Sequence, residues 1–220
     1  MDGSLTIAND DLEQLMALLM ANNGYWQKHW LARIGLFAGT DLAFWKFFNL
    51  PGRAKRNVAH HYDLKDSLFD QFLDPRRQYS CGYFHNASDT LADAQITKLA
   101  RLGAKLCLKP NQQVLDIGCW WGGLANALWE MQPDISVTGI TLSENQHVYA
   151  TQRAKQDNRQ QHLAFHLCDY RHQRGSFDRI VSVGMLEHVG MRHFDSYFAS
   201  ITRLLAPNWV ALIHSIGVHH

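Results

Sequence analysis

The chain has 220 residues, which is enough for one sizeable α/β core with a smaller appendage. Apolar residues make up 46% of it and charged residues 19%, as in ordinary globular domains, and the formal net charge is +1. A charge this close to zero excludes the strong field of one sign that favours nucleic acid. We therefore expect no nucleic-acid partner.

The N-terminus and the cysteines bear on the cellular compartment. Met1-Asp2-Gly3 has neither the basic region nor the apolar region of a secretory signal. The apolar stretch at 31–48 contains Arg33, Asp41 and Lys46, so it does not predict a membrane span. The four cysteines form no C-x-x-C pair, and we expect reduced thiols in the cytoplasm.

Residues 1–58 predict a helical, aromatic-rich N-terminal segment. An amphipathic helix is expected at 9–22, with Asn9 or Asp10 as its cap and Gly24 as its stop. Aromatic and basic side chains then alternate through 25–56. We favour a helical cap whose aromatic rings face the main core, and the alternative is a surface that meets lipid.

Residues 59–220 predict a doubly wound α/β domain. Buried strands are expected at 114–117, 137–140, 163–167, 180–183 and 210–213, and helices at 124–131, 144–156 and 194–205. Ser143 and Gln146 predict a capping box at the second of these helices. Alternating strands and helices predict a mainly parallel sheet with right-handed crossovers.

A glycine-rich turn follows the first predicted strand. Asp116, Gly118 and Gly122 give the pattern D-x-G-x-x-x-G, which lets backbone approach a ligand at the carboxyl ends of the strands. A tight turn without a ligand is the alternative. Position 120 is tryptophan, which breaks the dinucleotide pattern G-x-G-x-x-G, so an NAD-dependent oxidoreductase is only the runner-up for this loop.

Five motifs, in order, resemble those of the cyclopropane fatty acid synthase family. They lie at 61–84, 115–124, 139–146, 177–190 and 212–217. The resemblance implies a class I methyltransferase fold with S-adenosylmethionine as cofactor. It further implies methylene transfer to the cis double bond of an unsaturated phospholipid acyl chain, which forms a cyclopropane fatty acid. The protein would then be cytoplasmic and peripheral to the inner face of the membrane.

The resemblance also implies two sets of site residues. The catalytic set holds a bicarbonate ion that serves as the base, and it consists of Cys81, Glu187, His214 and the backbone at Ile216. The cofactor set takes Tyr79, Ser80, Gly118, Gly122, Thr141 and Gln146 from the matching motifs. Asp116 of the glycine-rich turn is added to it, as are Asp169 and Tyr170, which follow the third predicted strand, where an adenine is expected. No histidine has metal-ligand spacing with neighbouring cysteines or carboxylates, so we assign no metal.

Each side chain of the catalytic set also fits a purely structural role. Glu187 follows the fourth predicted strand and His214 ends the fifth, so both are expected at the carboxyl edge of the sheet. Glu187 would equally suit a helix start, where a carboxylate is favoured, and His214 would suit the core as a histidine with its hydrogen bonds satisfied. For Cys81 the alternative is a small buried apolar side chain.

The sequence departs from the family pattern at three places. Trp120 stands where the family's loop has glycine, so its indole is expected to clash with the cofactor or distort the turn, above all at positive φ. Asn208 and Trp209 replace a Gly-Gly turn, although asparagine tolerates left-handed backbone. The sequence stops at His220, where family members continue, so we expect a sheet incomplete at its C-terminal end, with an open edge that favours aggregation or a homo-oligomer.

These departures keep a second function open. The alternative is a catalytically inactive, truncated remnant that binds a lipid surface or a partner chain. A small-molecule methyltransferase on the same fold is a further alternative, because a fold does not fix its substrate.

Overall fold

A computed structural model describes residues 11–22 and 66–217 of the chain. The chain divides into two compact units, Met1–Phe48 and Asn49–His220. The aromatic and basic segment at 25–56 and the predicted boundary at residue 58 lie outside the described residues, and both stay predictions.

One helix is described in the first unit, α1 (Leu12–Ala21). Its cap is Asp11, whose carboxylate accepts a hydrogen bond from the backbone N–H of Gln14 at 2.9 Å. The prediction that Asn9 or Asp10 caps the helix is therefore wrong. Asp11 stands three residues before Gln14, the separation at which a cap side chain reaches an otherwise unpaired N–H group.

The described part of the second unit alternates helices and strands. Its helices are α2 (Asp66–Phe69), α3 (Leu91–Leu106), α4 (Gly123–Met131), α5 (Glu144–Gln156), α6 (Leu186–Val189) and α7 (Phe194–Leu204), with a 3-10 turn at Met191–His193. Its strands are β1 (Gln113–Ile117), β2 (Ser136–Thr141), β3 (Leu163–Leu167), β4 (Phe177–Val183) and β5 (Leu205–His214). The five predicted strands and three predicted helices are confirmed. None of the helices described in either unit has the length and apolar content needed to cross a bilayer.

All five strands run parallel in the order β3-β2-β1-β4-β5. The central strand is β1, where Asp116 lies opposite Gly139 of β2 and Val181 of β4. The connections lead outward in one direction from β1 to β3 and in the other from β4 to β5. This is the predicted doubly wound topology, and its switch point lies at the carboxyl ends of β1 and β4, where such sheets bind ligands.

Apolar clusters on the two faces of the sheet hold the strand ends in place. One cluster joins Leu99 of α3 and Leu128 of α4 to Phe165 of β3. The other joins Ile180 of β4 to Tyr197 of α7. These side chains are almost fully buried, so the loops that leave the carboxyl edge start from rigid positions.

The capping box predicted for α5 forms only in part. Ser143 accepts a hydrogen bond from the backbone N–H of Gln146, as predicted. The side chain of Gln146 does not reach back to Ser143, so this half of the prediction is wrong. Its Oε1 accepts from the hydroxyl of Thr141 at 2.8 Å, and the same hydroxyl oxygen accepts the Ser143 N–H at 3.2 Å. Because the Ser143 N–H already donates to Thr141, it is not available to donate to the Gln146 side chain.

Helix α3 was not predicted from the sequence, although it carries two signals. Thr90 and Asp93 form a capping box at its start. Leu99, Leu102 and Leu106 are buried at helical spacing along its inner face. The helix also carries two buried polar side chains, Gln95 and Lys98, which lie beneath the functional site.

Arg179 ties the end of α3 to the sheet. It is 3% exposed and donates to the backbone carbonyls of Leu106, Cys107 (2.9 Å) and Asp178 (2.8 Å). Its guanidinium also lies 4.7 Å from the centroid of the Trp209 ring. The arginine thus satisfies carbonyls that the helix end leaves unpaired.

Strand β5 begins with an irregular stretch. Its pairing with β4 shifts register between Phe177 and Arg179. Asn208 has φ +65°, which agrees with the expectation that asparagine tolerates left-handed backbone there. Within residues 66–217, β5 pairs only with β4, and self-association through its other edge stays a prediction.

We predict that Arg179→Met lowers the free energy of unfolding by about 2–4 kcal/mol, because it leaves buried carbonyl groups without a donor. The measurement is urea denaturation of the two proteins. Arg174→Met is the matched control, since Arg174 is exposed, and it should change stability by less than about 0.5 kcal/mol. Equal losses in the two variants would contradict the role assigned to Arg179.

Candidate active site

The turn between β1 and α4 forms the floor of the site. Gly118 and Gly122 both have φ +79°, and Trp120 between them has φ +52°. The backbone N–H groups of Gly118 and Cys119 donate to the carbonyl of Ile140 at 2.9 and 3.0 Å. The turn is therefore anchored to β2, and it holds a tryptophan in a conformation that glycine adopts most easily.

The Trp120 indole lies across the carboxyl end of the sheet. Its Nε1 donates to the carbonyl of Val183, the last residue of β4, at 3.2 Å. Its ring meets the Tyr79 ring edge-on at 5.4 Å and stacks with Trp121 at 6.2 Å between centroids. The His188 ring approaches it at 6.3 Å. The indole is thus fixed in the middle of the site.

Among the described residues, a small cavity adjoins this indole. Its volume is about 10 Å³, which is room for about one water molecule. Four of the predicted cofactor residues line this cavity: Tyr79, Ser80, Asp116 and Gly118. The structure therefore brings these four together around one cavity, which Trp120 also lines.

Asp116 is the most deeply buried charged group of the site. It is 1% exposed, and its Oδ2 has no hydrogen-bond partner. Burial raises the pKa of this carboxyl to about 7. A buried oxygen without a partner, facing a cavity, suits a ligand that brings a hydrogen-bond donor.

The segment that carries Tyr79 and Ser80 rests on α3 and on a local turn. The Asp74 carboxylate accepts the backbone N–H of Gln78 at 2.7 Å. From α3, Lys98 donates to Gln78 Oε1 at 2.9 Å and to Ser80 Oγ at 2.7 Å. Lys98 is 4% exposed, and burial lowers its pKa to about 8. These contacts fix the two predicted cofactor residues from below.

Two further pairs of predicted cofactor residues lie outside this cavity. Thr141 and Gln146 are buried and bonded to each other after β2. After β3, the Asp169 carboxylate pairs with Arg171 at 2.5 Å, which lowers its pKa against the effect of burial. The Tyr170 ring packs edge-on against Tyr197 at 5.2 Å in the apolar cluster. Contact of these four residues with a cofactor stays a prediction.

Two of the four predicted catalytic groups touch each other. The backbone N–H of Ile216 donates to Glu187 Oε1 at 2.6 Å, which joins the segment after β5 to the short helix after β4. His214 ends β5, where its carbonyl accepts the Gly184 N–H at 3.0 Å. Its ring Nδ1 is buried without a partner. Cys81 is exposed, with a free thiol.

These positions bear on the purely structural roles open to the same residues. A core histidine with satisfied hydrogen bonds does not describe His214, because its Nδ1 has none. A small buried side chain does not describe Cys81, which is exposed. Glu187 does lie in the first turn of α6, but its carboxylate is engaged by Ile216. Within the described ranges no group of three acidic, cysteine or histidine side chains has the geometry of a metal site.

Comparison with known proteins decides the family. The model of the mycolic acid cyclopropane synthetase family matches residues 51–220. The chain belongs to this family. The match contains every site residue named above.

The relatives of this chain include enzymes whose names specify two lipid classes. Cyclopropane-fatty-acyl-phospholipid synthase of Escherichia coli is 44% identical over 174 residues, which are 78% of this chain and 44% of the relative. Methoxy mycolic acid synthase MmaA3 of Mycobacterium tuberculosis is 39% identical over 165 residues, 74% of this chain and 56% of the relative. The chain thus spans about half the length of the curated relatives it matches.

Solved structures agree with this family and with the class I methyltransferase fold. The cyclopropane synthase MmaA2 from Mycobacterium tuberculosis superimposes with a TM-score of 0.70 at 36% identity, covering 73% of this chain and 56% of that one. CmaA1, solved with SAH and CTAB, gives 0.69 at 38% identity, covering 72% and 55%. Coclaurine N-methyltransferase, at 20% identity and a TM-score of 0.65 over 92% of this chain and 57% of that one, supports the fold alone.

Gln95 and Lys98 were not predicted as site residues from the sequence. The helix that carries them was not predicted, so two polar residues three apart had no assigned face. The capping box at Thr90 and the leucine spacing would have placed them on the buried side. A buried lysine on such a face is the signal that points to the site.

We predict that Asp116 makes the protein less stable as pH rises from about 4 to about 7. The folded state keeps this carboxyl protonated in that range, whereas the unfolded chain ionises it near pH 4. The unfolded state therefore binds fewer protons, and the free energy of unfolding falls by an amount on the order of a few kcal/mol, then levels off above about pH 7.

The measurement is urea unfolding of the wild type and of Asp116→Asn at several pH values. The difference between the two removes the contribution of histidines and other carboxylates. A difference that stays flat between pH 4 and 7 would contradict a raised pKa for Asp116.

Proposed function

We propose that this chain is the cofactor-binding and catalytic part of a cyclopropane synthase acting on phospholipid acyl chains, with a cofactor pocket closed by Trp120. The contact between Glu187 and the Ile216 N–H carries the first part of the proposal. It joins predicted catalytic groups from two strand ends, next to the glycine-rich turn. The Escherichia coli relative, whose name specifies a fatty-acyl phospholipid, supports the choice of substrate.

S-adenosylmethionine, when bound, would supply an electrophilic methyl group. Two polar groups of the site fit this ligand, because Asp116 offers an unpartnered acceptor and Ser80 a hydroxyl. The volume of the cavity that the described residues form beside Trp120 does not fit, because about 10 Å³ is far smaller than an amino-acid group. The indole must leave before the ligand enters.

The reaction itself places two demands on the chain. Closing a cyclopropane ring on an alkene releases a proton, so the site needs a base that is not methylated in its turn. The groups that would hold bicarbonate as this base are Cys81, Glu187, His214 and the backbone at Ile216. The unpartnered Nδ1 of His214 is available for such an ion, which both donates and accepts hydrogen bonds.

A second function follows from the same indole. A chain that never opens the pocket is an inactive remnant that binds a lipid surface or a partner chain. One comparison distinguishes the active synthase from the inactive remnant. Binding to vesicles without methyl transfer, in wild type and in a variant that binds cofactor, would favour the remnant.

We predict that Trp120→Gly binds S-adenosylhomocysteine at least about 30-fold more tightly than the wild type. Moving the indole breaks one hydrogen bond and several ring contacts, about 2–3 kcal/mol in all. Titration calorimetry gives both affinities. Trp209→Gly is the control, since that indole lies outside the cavity, and it should leave the affinity as in wild type. Equal binding by wild type and Trp120→Gly would refute the steric role of Trp120.

We predict that Glu187→Gln, made in the Trp120→Gly protein, lowers methyl transfer at least about 100-fold while S-adenosylhomocysteine affinity changes less than about threefold. The amide oxygen can still accept the Ile216 N–H, so the local fold is kept, but the negative charge is lost. Incorporation of labelled methyl groups into vesicles of unsaturated phospholipid measures the rate. Removing bicarbonate from the buffer should slow Trp120→Gly and have no effect on the double variant.

Asp195→Asn in the same background is the control, because Asp195 is an exposed carboxylate in the first turn of α7. It should transfer methyl groups at the rate of Trp120→Gly. Full activity of the Glu187→Gln protein would exclude Glu187 from the catalytic set.

A further inference from the structure

Lys98 is a buried cation that forms no close ion pair with the described residues, although the Asp74 carboxylate lies within electrostatic reach. It projects from α3 and is 4% exposed. None of the salt bridges among the described residues includes it. Both of its hydrogen bonds go to neutral oxygens, Gln78 Oε1 and Ser80 Oγ. Burying a charge in this way is costly, which favours a role beyond stability.

The chemistry of the ammonium group fixes the role of the serine hydroxyl. A protonated lysine donates and cannot accept, so Ser80 Oγ must be the acceptor in the 2.7 Å contact. The hydroxyl proton of Ser80 is therefore not used by Lys98. Ser80 lines the cavity beside Trp120, and its proton is free to point there. Donation by an ammonium also makes the hydroxyl a stronger donor.

The serine is held in this position by its backbone as well. Gln95, one turn before Lys98 on the same face of α3, donates from Nε2 to the Ser80 carbonyl at 2.8 Å. Lys98 thus holds the side chain of Ser80, and Gln95 holds its backbone. Asp116, with its unpartnered oxygen, lines the same cavity. A donor backed by a cation and an acceptor in one cavity match the carboxylate and ammonium groups of an amino acid.

We propose that Lys98 is a positioning residue that acts through Ser80, orienting the serine hydroxyl to donate to the carboxylate at the amino-acid end of the cofactor. This proposal rests on the proposed function, because S-adenosylmethionine is the ligand that brings an amino-acid group. Lys98 itself touches no ligand. Its contribution is the direction of the Ser80 proton and the positive potential behind it.

The test compares two ligands in the Trp120→Gly protein. S-adenosylhomocysteine carries the amino-acid group, and 5′-methylthioadenosine lacks it. Lys98→Met should weaken the first about tenfold or more and the second less than about threefold. In a protein that already carries Ser80→Ala, Lys98→Met should weaken the binding of S-adenosylhomocysteine by less than about threefold, because Lys98 then has no serine hydroxyl to orient. Lys105→Met, an exposed lysine of the same helix, should change neither affinity.

Other outcomes overturn the proposal. Equal losses for both ligands would make Lys98 merely structural, and full additivity with Ser80→Ala would show that it does not act through the serine. Binding of neither ligand by Trp120→Gly would contradict the proposed function. In that case, amide hydrogen exchange of the ligand-free protein tests whether Lys98 positions the segment that carries Ser80. Lys98→Met should speed exchange in residues 75–84 and leave exchange in β2 unchanged. Unchanged exchange in 75–84 would overturn the positioning role.

Discussion

The turn between β1 and α4 constrains the rest of the site. Three of its five residues from Gly118 to Gly122 have left-handed backbone, and the middle one is Trp120. Such a conformation costs a non-glycine residue about 1 kcal/mol or more. The turn keeps it because both of its ends are fixed by β1, by α4 and by the carbonyl of Ile140. The indole is therefore directed into the cavity by the fold itself.

The Trp120 indole affects the cofactor side of the site and the catalytic side differently. On the cofactor side, Asp116 and Ser80 keep the polar chemistry of a binding pocket, but the cavity that they line beside Trp120 measures only about 10 Å³. On the catalytic side, the ends of β4 and β5 bring Glu187 and Ile216 into contact without using the Trp120 side chain. The site thus has suitable polar groups, and one residue, Trp120, keeps it from also having a suitable volume.

Much of this arrangement could be predicted from the sequence, and the exceptions have physical reasons. The five strands follow from short β-branched runs, since a parallel sheet buries both faces. Tyr79, Ser80, Asp116 and Gly118 were predicted to share one site, and in the structure they line one cavity, whereas their contact with a cofactor stays a prediction. The φ of +52° at Trp120 meets the condition under which the indole was expected to disturb the turn most.

What could not be predicted depends on contacts between distant segments. Thr141 takes the N–H that the capping-box pattern assigned to Gln146. Lys98 is 18 residues from Ser80, and no local pattern reveals that their side chains meet. The free Nδ1 of His214 likewise depends on what packs around it. Periodicity identifies a buried face, but it does not say which polar atom a buried side chain reaches.

The central claim is that the Trp120 indole occupies the volume in which the amino-acid end of the cofactor binds. Crystals of wild type and of Trp120→Gly, each soaked with S-adenosylhomocysteine, test it most directly. We predict ligand density in the glycine variant between Ser80 and Asp116, in the volume of the lost indole, and none there in the wild type. Ligand bound in the wild type with Trp120 still bonded to the Val183 carbonyl would contradict the claim.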